Sequence, residues 1–235
     1  MALILNIDTS SSRAEIALAL EGNIIAHSQL ESQKDHAGWI HTAINQVMQQ
    51  HGKTVRNLDA VAVAAGPGSY TGLRVGMATA KGICYAAGIP LITESTLKIM
   101  ALAAKNVVQN DGLKPVSASN NKPLLLCPLI DARRMEVFSA VYNDDLEEVQ
   151  NAAAFIVDEK TFDQLLNDHI ILFFGSGAAK VRHLINHDNA IFNNIDYGIS
   201  QLAHLSENKY SLKQFDNLIY SEPQYLKAFH DTRKR

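Results

Sequence analysis

The chain has 235 residues, of which 47% are apolar and 19% charged. That is enough apolar content to bury a core and too little charge for an intrinsically disordered chain. With 21 basic against 24 acidic side chains the formal net charge is −3, whereas a dedicated nucleic-acid binder that neutralises phosphates is usually basic, so the chain is a poor candidate for binding RNA alone. No run of about 18 apolar residues occurs, so no membrane-spanning helix is expected.

The opening MALILNIDTS has an apolar run of only five residues before Asn6 and no basic residue ahead of it, so it does not read as a signal peptide. Residues 3–8 predict a strand ending on Asp8. Residues 13–20 and 24–30 read as two further strands joined through Gly22-Asn23, a dipeptide suited to a tight hairpin turn. From Asp35 the apolar period becomes helical, with Ile40, Ile44, Val47 and Met48 in phase, Asp35 as N-cap and Gly52 as stop.

A buried strand over 59–65 runs into Gly66-Pro67-Gly68-Ser69-Tyr70-Thr71-Gly72. A helix over 73–87, a strand over 89–93 and a helix from about Ser95 to Val108 follow. Residues 109–122 have the composition of an exposed connection and mark a lobe boundary. Beyond it come strands 123–130 and 135–142, a helix around 158–168 and a strand over 169–174 ending in Gly175-Ser176-Gly177. Helix 178–187, a short extended piece, helix 197–209 and a polar tail complete the chain. Three strands before two crossover helices imply a mixed sheet flanked by helices, with a second lobe behind it.

Asp8-Thr9-Ser10-Ser11 places a carboxylate and three hydroxyls at a strand end. Such a turn either satisfies its own backbone or holds a phosphate with its Mg²⁺ waters. The glycine loop empties onto a helix N-terminus and reads either as a tight strand-to-helix turn or as an anion site. It lacks the P-loop Gly-Lys-Ser/Thr ending, and its glycine spacing does not fit the dinucleotide fingerprint. Small residues recur along the next helix at Gly72, Gly76 and Ala80, with Ala78 and Gly82 besides. Since each helical glycine costs about 1 kcal/mol against alanine, close packing is expected there, either within the chain or against another subunit.

His183 and His187 have the spacing of a helical metal pair but no third ligand nearby. No G-x-S-x-G nucleophile elbow is present. Cys84 and Cys127 lie far apart without CxxC spacing and read as buried thiols of a cytoplasmic protein.

Taken together, Ile7-Asp8-Thr9-Ser10, the run from Gly66 to Gly76, Ala80-Lys81-Gly82, Ser95-Thr96-Leu97, Ile130-Asp131-Ala132-Arg133 and Gly175-Ser176-Gly177 resemble the TsaB (YeaZ) proteins of bacteria. The likeness covers most of residues 1–135 and thins beyond to Gly175–Gly177 and the stretch from Glu222 to Leu226. It implies the actin-like, Hsp70-type (ASKHA) α/β fold, with two lobes that each hold a mixed sheet flanked by helices. Residues 1–108, completed by 216–235, would form the first lobe and 109–215 a degenerate second one.

The resemblance further implies a non-catalytic subunit needed for threonylcarbamoyladenosine formation beside the tRNA anticodon. Its partners would be a catalytic TsaD-type subunit and a TsaE-type ATPase, with a homodimer in isolation. tRNA would be met through the complex, and no membrane is involved. Pairing would run through helices 36–51 and 73–87, using Trp39, Ile40, Ile44 and Val47 from the first. Leu73, Arg74, Gly76, Met77 and Ala80 would serve from the second.

Catalytic relatives carry a His-x-x-x-His metal pair where this chain has Thr96 and Met100, poor ligands for that site. Bulky residues also follow Asp131 where ATPases have glycine. No catalytic residue, metal or obligatory cofactor is therefore expected. A vestigial nucleotide site would draw on Asp8, Thr9, Ser10, Gly66, Gly68, Ser69, Asp131, Gly175 and Gly177, and would take ATP or ADP weakly or across an interface. The alternative is a nucleotide hydrolase or kinase with its own Mg-ATP site at Asp8 and Asp131. An older peptidase label for this group finds no metal set or nucleophile in the chain.

Overall fold

A computed structural model describes residues 1–31, 35–110 and 122–227. The first part of the chain forms β1 (Leu3–Asp8), β2 (Ala14–Leu20), β3 (Asn23–Leu30), α1 (His36–Gln49), β4 (Ala60–Gly66), α2 (Tyr70–Ala87), β5 (Leu91–Ser95) and α3 (Thr96–Asn110). The second forms β6 (Leu124–Asp131), β7 (Glu136–Tyr142), β8 (Glu148–Ile156), α4 (Asp163–Asp168), β9 (Ile170–Phe174), α5 (Ala178–Val181), β10 (Ala190–Phe192) and α6 (Ile199–Ser211). The chain divides into two compact units, 1–103 with 196–224 and 104–195 with the residues from 225 on.

In the first unit the sheet order is β3-β2-β1-β4-β5, antiparallel through β3, β2 and β1 and parallel through β1, β4 and β5. Alternation along β4 sorts the two faces. Val61 and Val63 pack with Ile40, Ile44, Val47 and Met48 of α1 and Met77 and Ala80 of α2. Ala60, Ala62 and Ala64 face the other way, against Ile99 of α3 and Ile199, Leu202 and Leu205 of α6. Alanine on that face leaves room for helices to approach closely. The hydroxyl of Ser206 donates to buried Asn6 Oδ1 at 2.8 Å, tying α6 to β1.

The second unit repeats this topology. Its order β10-β9-β6-β7-β8 has β6 antiparallel to β7 and parallel to β9. Leu125, Cys127 and Leu129 of β6 pack with Phe162, Leu166, Phe173 and Val181 on one face. Among the described residues no helix is long and apolar enough to cross a membrane.

Several boundaries differ from the sequence expectation. The first hairpin turns on Glu21 and Gly22, at φ +51° and +76°, rather than on Gly22-Asn23. Asp35 stands before α1 but makes no side-chain cap. Helix α2 begins at Tyr70, capped by Ser69, whose Oγ accepts from Gly72 N–H, so Gly72 lies inside the helix and not in a loop.

The sequence does not predict strand β8, because Glu148–Ile156 is alanine-rich and half-exposed and shows no clean alternation. Residues 158–161 do not join α4. The Asp158 carboxylate accepts from Lys160 N–H and from the Thr161 hydroxyl, while Thr161 Oγ1 accepts from Asp158 N–H, and these local bonds hold a turn in place of a helix. Helix α5 stops at Val181, so His183 and His187 do not share a helix. Helix α6 belongs to the first unit, against the expectation that 109–215 forms the second. Most of the 109–122 connection and the tail Arg233-Lys234-Arg235 lie outside the described residues.

Candidate functional site

The glycine loop and the strand-end turn meet in the first unit. A Cβ on Gly68 would stand 2.2 Å from the Ser10 carbonyl oxygen, one on Gly72 2.1 Å from that of Thr9, and one on Gly76 2.4 Å from Thr9 Oγ1. These glycines therefore let the loop and the first turns of α2 lie directly on Thr9-Ser10. Hydrogen bonds lock the contact: Ser69 N–H donates to Ser10 O at 2.6 Å and Thr9 Oγ1 to Gly72 O at 2.7 Å. The close approach that the glycines permit is occupied by the chain's own backbone. Gly66, at φ +107°, lies beside Leu73 and the Gln224 carbonyl.

Asp8 is buried at the end of β1, and one carboxylate oxygen accepts from Ser10 N–H at 2.8 Å. Burial pushes its carboxyl up, against the pull of Ser10, Arg13 and His36. Its register partner across β2 is Glu15, also pushed up by burial and by Asp8, while Arg13 at 3.3 Å and His27 at 3.1 Å hold it back.

A carboxyl whose folded pKa lies above its unfolded value binds its proton more tightly in the native state. The Asp8 contribution is therefore neutral below the unfolded pKa and turns unfavourable as pH rises toward the folded one. Asp8→Asn should accordingly raise the melting temperature at neutral pH, with the gain vanishing below about pH 4. Melting curves of both proteins across pH 3–8 check this; a constant difference at every pH would refute it.

In the second unit, Asp131 closes β6. Partial burial would raise its carboxyl, but the Lys180 ammonium and the Arg133 N–H outweigh that and hold it below the usual carboxylate range. Gly177 N–H donates to Leu129 O at 2.8 Å, and a Cβ there would meet Val137 at 3.0 Å. Ser176 Oγ accepts from Asp131 N–H. The Gly175-Ser176-Gly177 bend thus buttresses β6. Within each unit the local space is taken by protein: Gly68 and Gly72 seat the backbone of Ser10 and Thr9, and Asp131 is paired with Lys180.

The expected interface residues need correction. Ile40, Ile44, Val47, Leu73, Gly76, Met77 and Ala80 are all buried within the chain's own first unit, Met77 to 3% exposure. Trp39 is half-buried against the same core. Only Arg74 is exposed, its guanidinium 4.2 Å over the Tyr70 ring.

The outward face of α2 instead carries Thr71, Arg74, Ala78, Gly82 and Tyr85, with Tyr85 84% exposed and open space around Gly82. Beside it, Lys81 Nζ donates to the carbonyls of Ile219 and Ser221 at 3.0 and 2.8 Å, holding a segment that exposes Ile219 and Tyr220. Sequence reading missed this anchor, since nothing local connects Lys81 to residues 138 and 140 positions away.

Thr96 and Met100 are buried in α3, and Thr96 Oγ1 has no hydrogen-bond partner among the described residues. His187 Nδ1 accepts from Asn189 N–H at 3.0 Å. No group of three or more His, Cys, Asp or Glu that could hold a metal ion occurs among the described residues. Cys84 and Cys127 are buried, and burial pushes their thiols up to about 11 and about 12.

The family described as TsaD, tRNA N6-adenosine threonylcarbamoyltransferase, matches residues 23–228. A protein of Bacillus subtilis named tRNA threonylcarbamoyladenosine biosynthesis protein TsaB is 32% identical over 149 residues, 62% of this chain and 58% of the relative. The match thus spans little more than half of that protein. Its namesake from Haemophilus influenzae is 29% identical, with 95% of this chain and 93% of the relative covered. The structure of YeaZ from Pseudomonas aeruginosa covers 96% of this chain and 100% of its own, with a TM-score of 0.76 at 20% identity.

That likeness, with the paired five-stranded mixed sheets, establishes the ASKHA-type fold. The chain belongs to the TsaD family and, within it, to the TsaB (YeaZ) group.

Proposed function

We propose that the chain is a non-catalytic partner subunit in the formation of N6-threonylcarbamoyladenosine in tRNA, docking onto a catalytic TsaD-type protein and activating it. The observation that carries this is the outward face of α2. Gly82 is a helix-interior glycine whose Cβ position has nothing within 4 Å among the described residues, so packing against them does not account for it. Together with Ala78, Tyr85, Ile219 and Tyr220 it forms an exposed surface of small and large apolar residues, suited to close approach by another protein.

The seating of Gly68 and Gly72 on Ser10 and Thr9 in the first unit, and the Asp131–Lys180 pair in the second, weigh against the hydrolase or kinase reading. In this reading the chain works in the cytoplasm without a cofactor of its own, self-associates through the same face when alone, and meets a TsaE-type ATPase and tRNA through the complex.

Reconstitution tests it. Purified TsaD-type protein, a TsaE-type ATPase, threonylcarbamoyl-adenylate and tRNA should yield modified nucleoside with this chain present and essentially none when it is omitted. Equal yields in both mixtures would sink the proposal, as would modification by this chain alone.

A further inference from the structure

The turn between β6 and β7 holds two consecutive residues in the left-handed region, Arg133 at φ +65° and Arg134 at φ +54°. Left-handed backbone is disfavoured for any residue with a Cβ, and glycine, asparagine and aspartate are its usual occupants. Here both residues are exposed arginines. The turn is held from beneath. Asp131 Oδ1 accepts from Arg133 N–H at 2.7 Å, and Lys180 pairs with Asp131 while donating to Arg134 O at 2.6 Å. Asp131 pairs with Lys180 and attracts the nearby Arg133 as well, while among the described residues neither guanidinium makes a hydrogen bond or close ion pair.

We infer that Arg133 and Arg134 form a contact for the phosphate backbone of RNA, which under the proposed function, on which this rests, is the tRNA itself. Guanidinium groups are always charged and offer a planar fork of donors matched to phosphate oxygens. The turn is an exposed tip and does not enclose a small nucleotide. Exposed guanidinium–carboxylate pairs with a protein would individually contribute little. Phosphate contacts at exposed sites instead gain from counterion release and add along a polyanion. The chain's net charge of −3 places the attraction at this tip rather than over the whole surface.

The complex of this chain with its TsaD-type partner is titrated with fluorescent tRNA at several salt concentrations, for wild type, R133N/R134G and R133K/R134K. Asparagine and glycine suit the left-handed turn, so R133N/R134G should melt at or above the wild-type temperature and bind the partner unchanged. Its tRNA affinity should fall about tenfold, and the slope of log K against log salt should become shallower by about 1.5–2. R133K/R134K should keep most of that slope.

Unchanged RNA affinity and slope in R133N/R134G would overturn the inference. Weakened partner binding with unchanged RNA affinity would also overturn it, and would assign the tip to an acidic protein surface. If the wild-type chain binds no TsaD-type partner, the proposed function fails. The same titration on the chain alone then decides the tip separately, with a slope change between wild type and R133N/R134G supporting it and no change refuting it.

Discussion

Gly72→Leu is expected to abolish the native fold of the first unit. Even the first added carbon would stand 2.1 Å from the Thr9 carbonyl oxygen, a separation that no rotamer change relieves because both atoms belong to or adjoin backbone. Thr9 cannot retreat. It follows directly on β1, which is paired on both sides, and its hydroxyl is bonded to Gly72 O. Over-packing a well-filled interior costs about 1–3 kcal/mol where side chains can yield. A backbone collision that also breaks the Thr9 and Ser69 bonds should exceed about 3 kcal/mol, a large share of the roughly 5–15 kcal/mol that holds a domain together. Gly82→Leu is the contrasting control, since nothing stands near its Cβ position, and its stability should match wild type or rise by up to about 1 kcal/mol through helix propensity. Denaturant unfolding followed by circular dichroism separates the two. A Gly72→Leu protein with the wild-type midpoint would show that the loop yields.

Ala78→Arg combined with Tyr85→Asp should release this chain from its partner while leaving its melting temperature within a few degrees of wild type. Both positions are exposed on α2. Burying a new charge in an interface, and losing an aromatic anchor of the kind that often carries 2 kcal/mol or more of binding, should weaken association by about a hundredfold. Met77→Asp, one residue away, has the opposite profile. Met77 lies in the core with Ile44, Val63 and Cys84, so a carboxylate there unfolds the unit before any interface is tested. Sedimentation velocity with the TsaD-type protein, read beside a thermal melt, distinguishes the cases. Undiminished association of the Ala78→Arg, Tyr85→Asp chain would move the docking surface off α2.

That contrast shows where sequence reading stops. The period of α1 identified Ile40, Ile44, Val47 and Met48 correctly as an apolar face, and β4 was recognised from its unbroken apolar run. Periodicity says that a face is covered, not by what, and in both helices the covering is the chain's own sheet. The small-residue series in α2 was legible as close packing, yet it divides into two: Gly72 and Gly76 against Thr9, and Ala78 and Gly82 outward. About half a turn of helix, from Gly76 to Ala78, separates those roles, and only the three-dimensional neighbours tell them apart. The repeat of topology between the two sheets was hidden by β8, whose alanines pair through backbone and lack the alternation that marks a strand. The residues of the nucleotide motif were found, but spacing could not show that the glycines seat Thr9 and Ser10. In the sequence the arginine turn reads only as bulk after Asp131, because backbone sign is invisible in a string of letters.

The placement of α6 bears on how the protein is made. Ala60, Ala62, Ala64 and Ile92 are covered in part by Leu202 and Leu205, which leave the ribosome only after residues 104–195 have been synthesised, roughly 5–20 s later. During that interval one side of the first sheet is wet and sticky. A nascent chain in this state invites a chaperone, and stalling between residues 104 and 195 should raise aggregation relative to the chain released from the ribosome, in which α6 can dock.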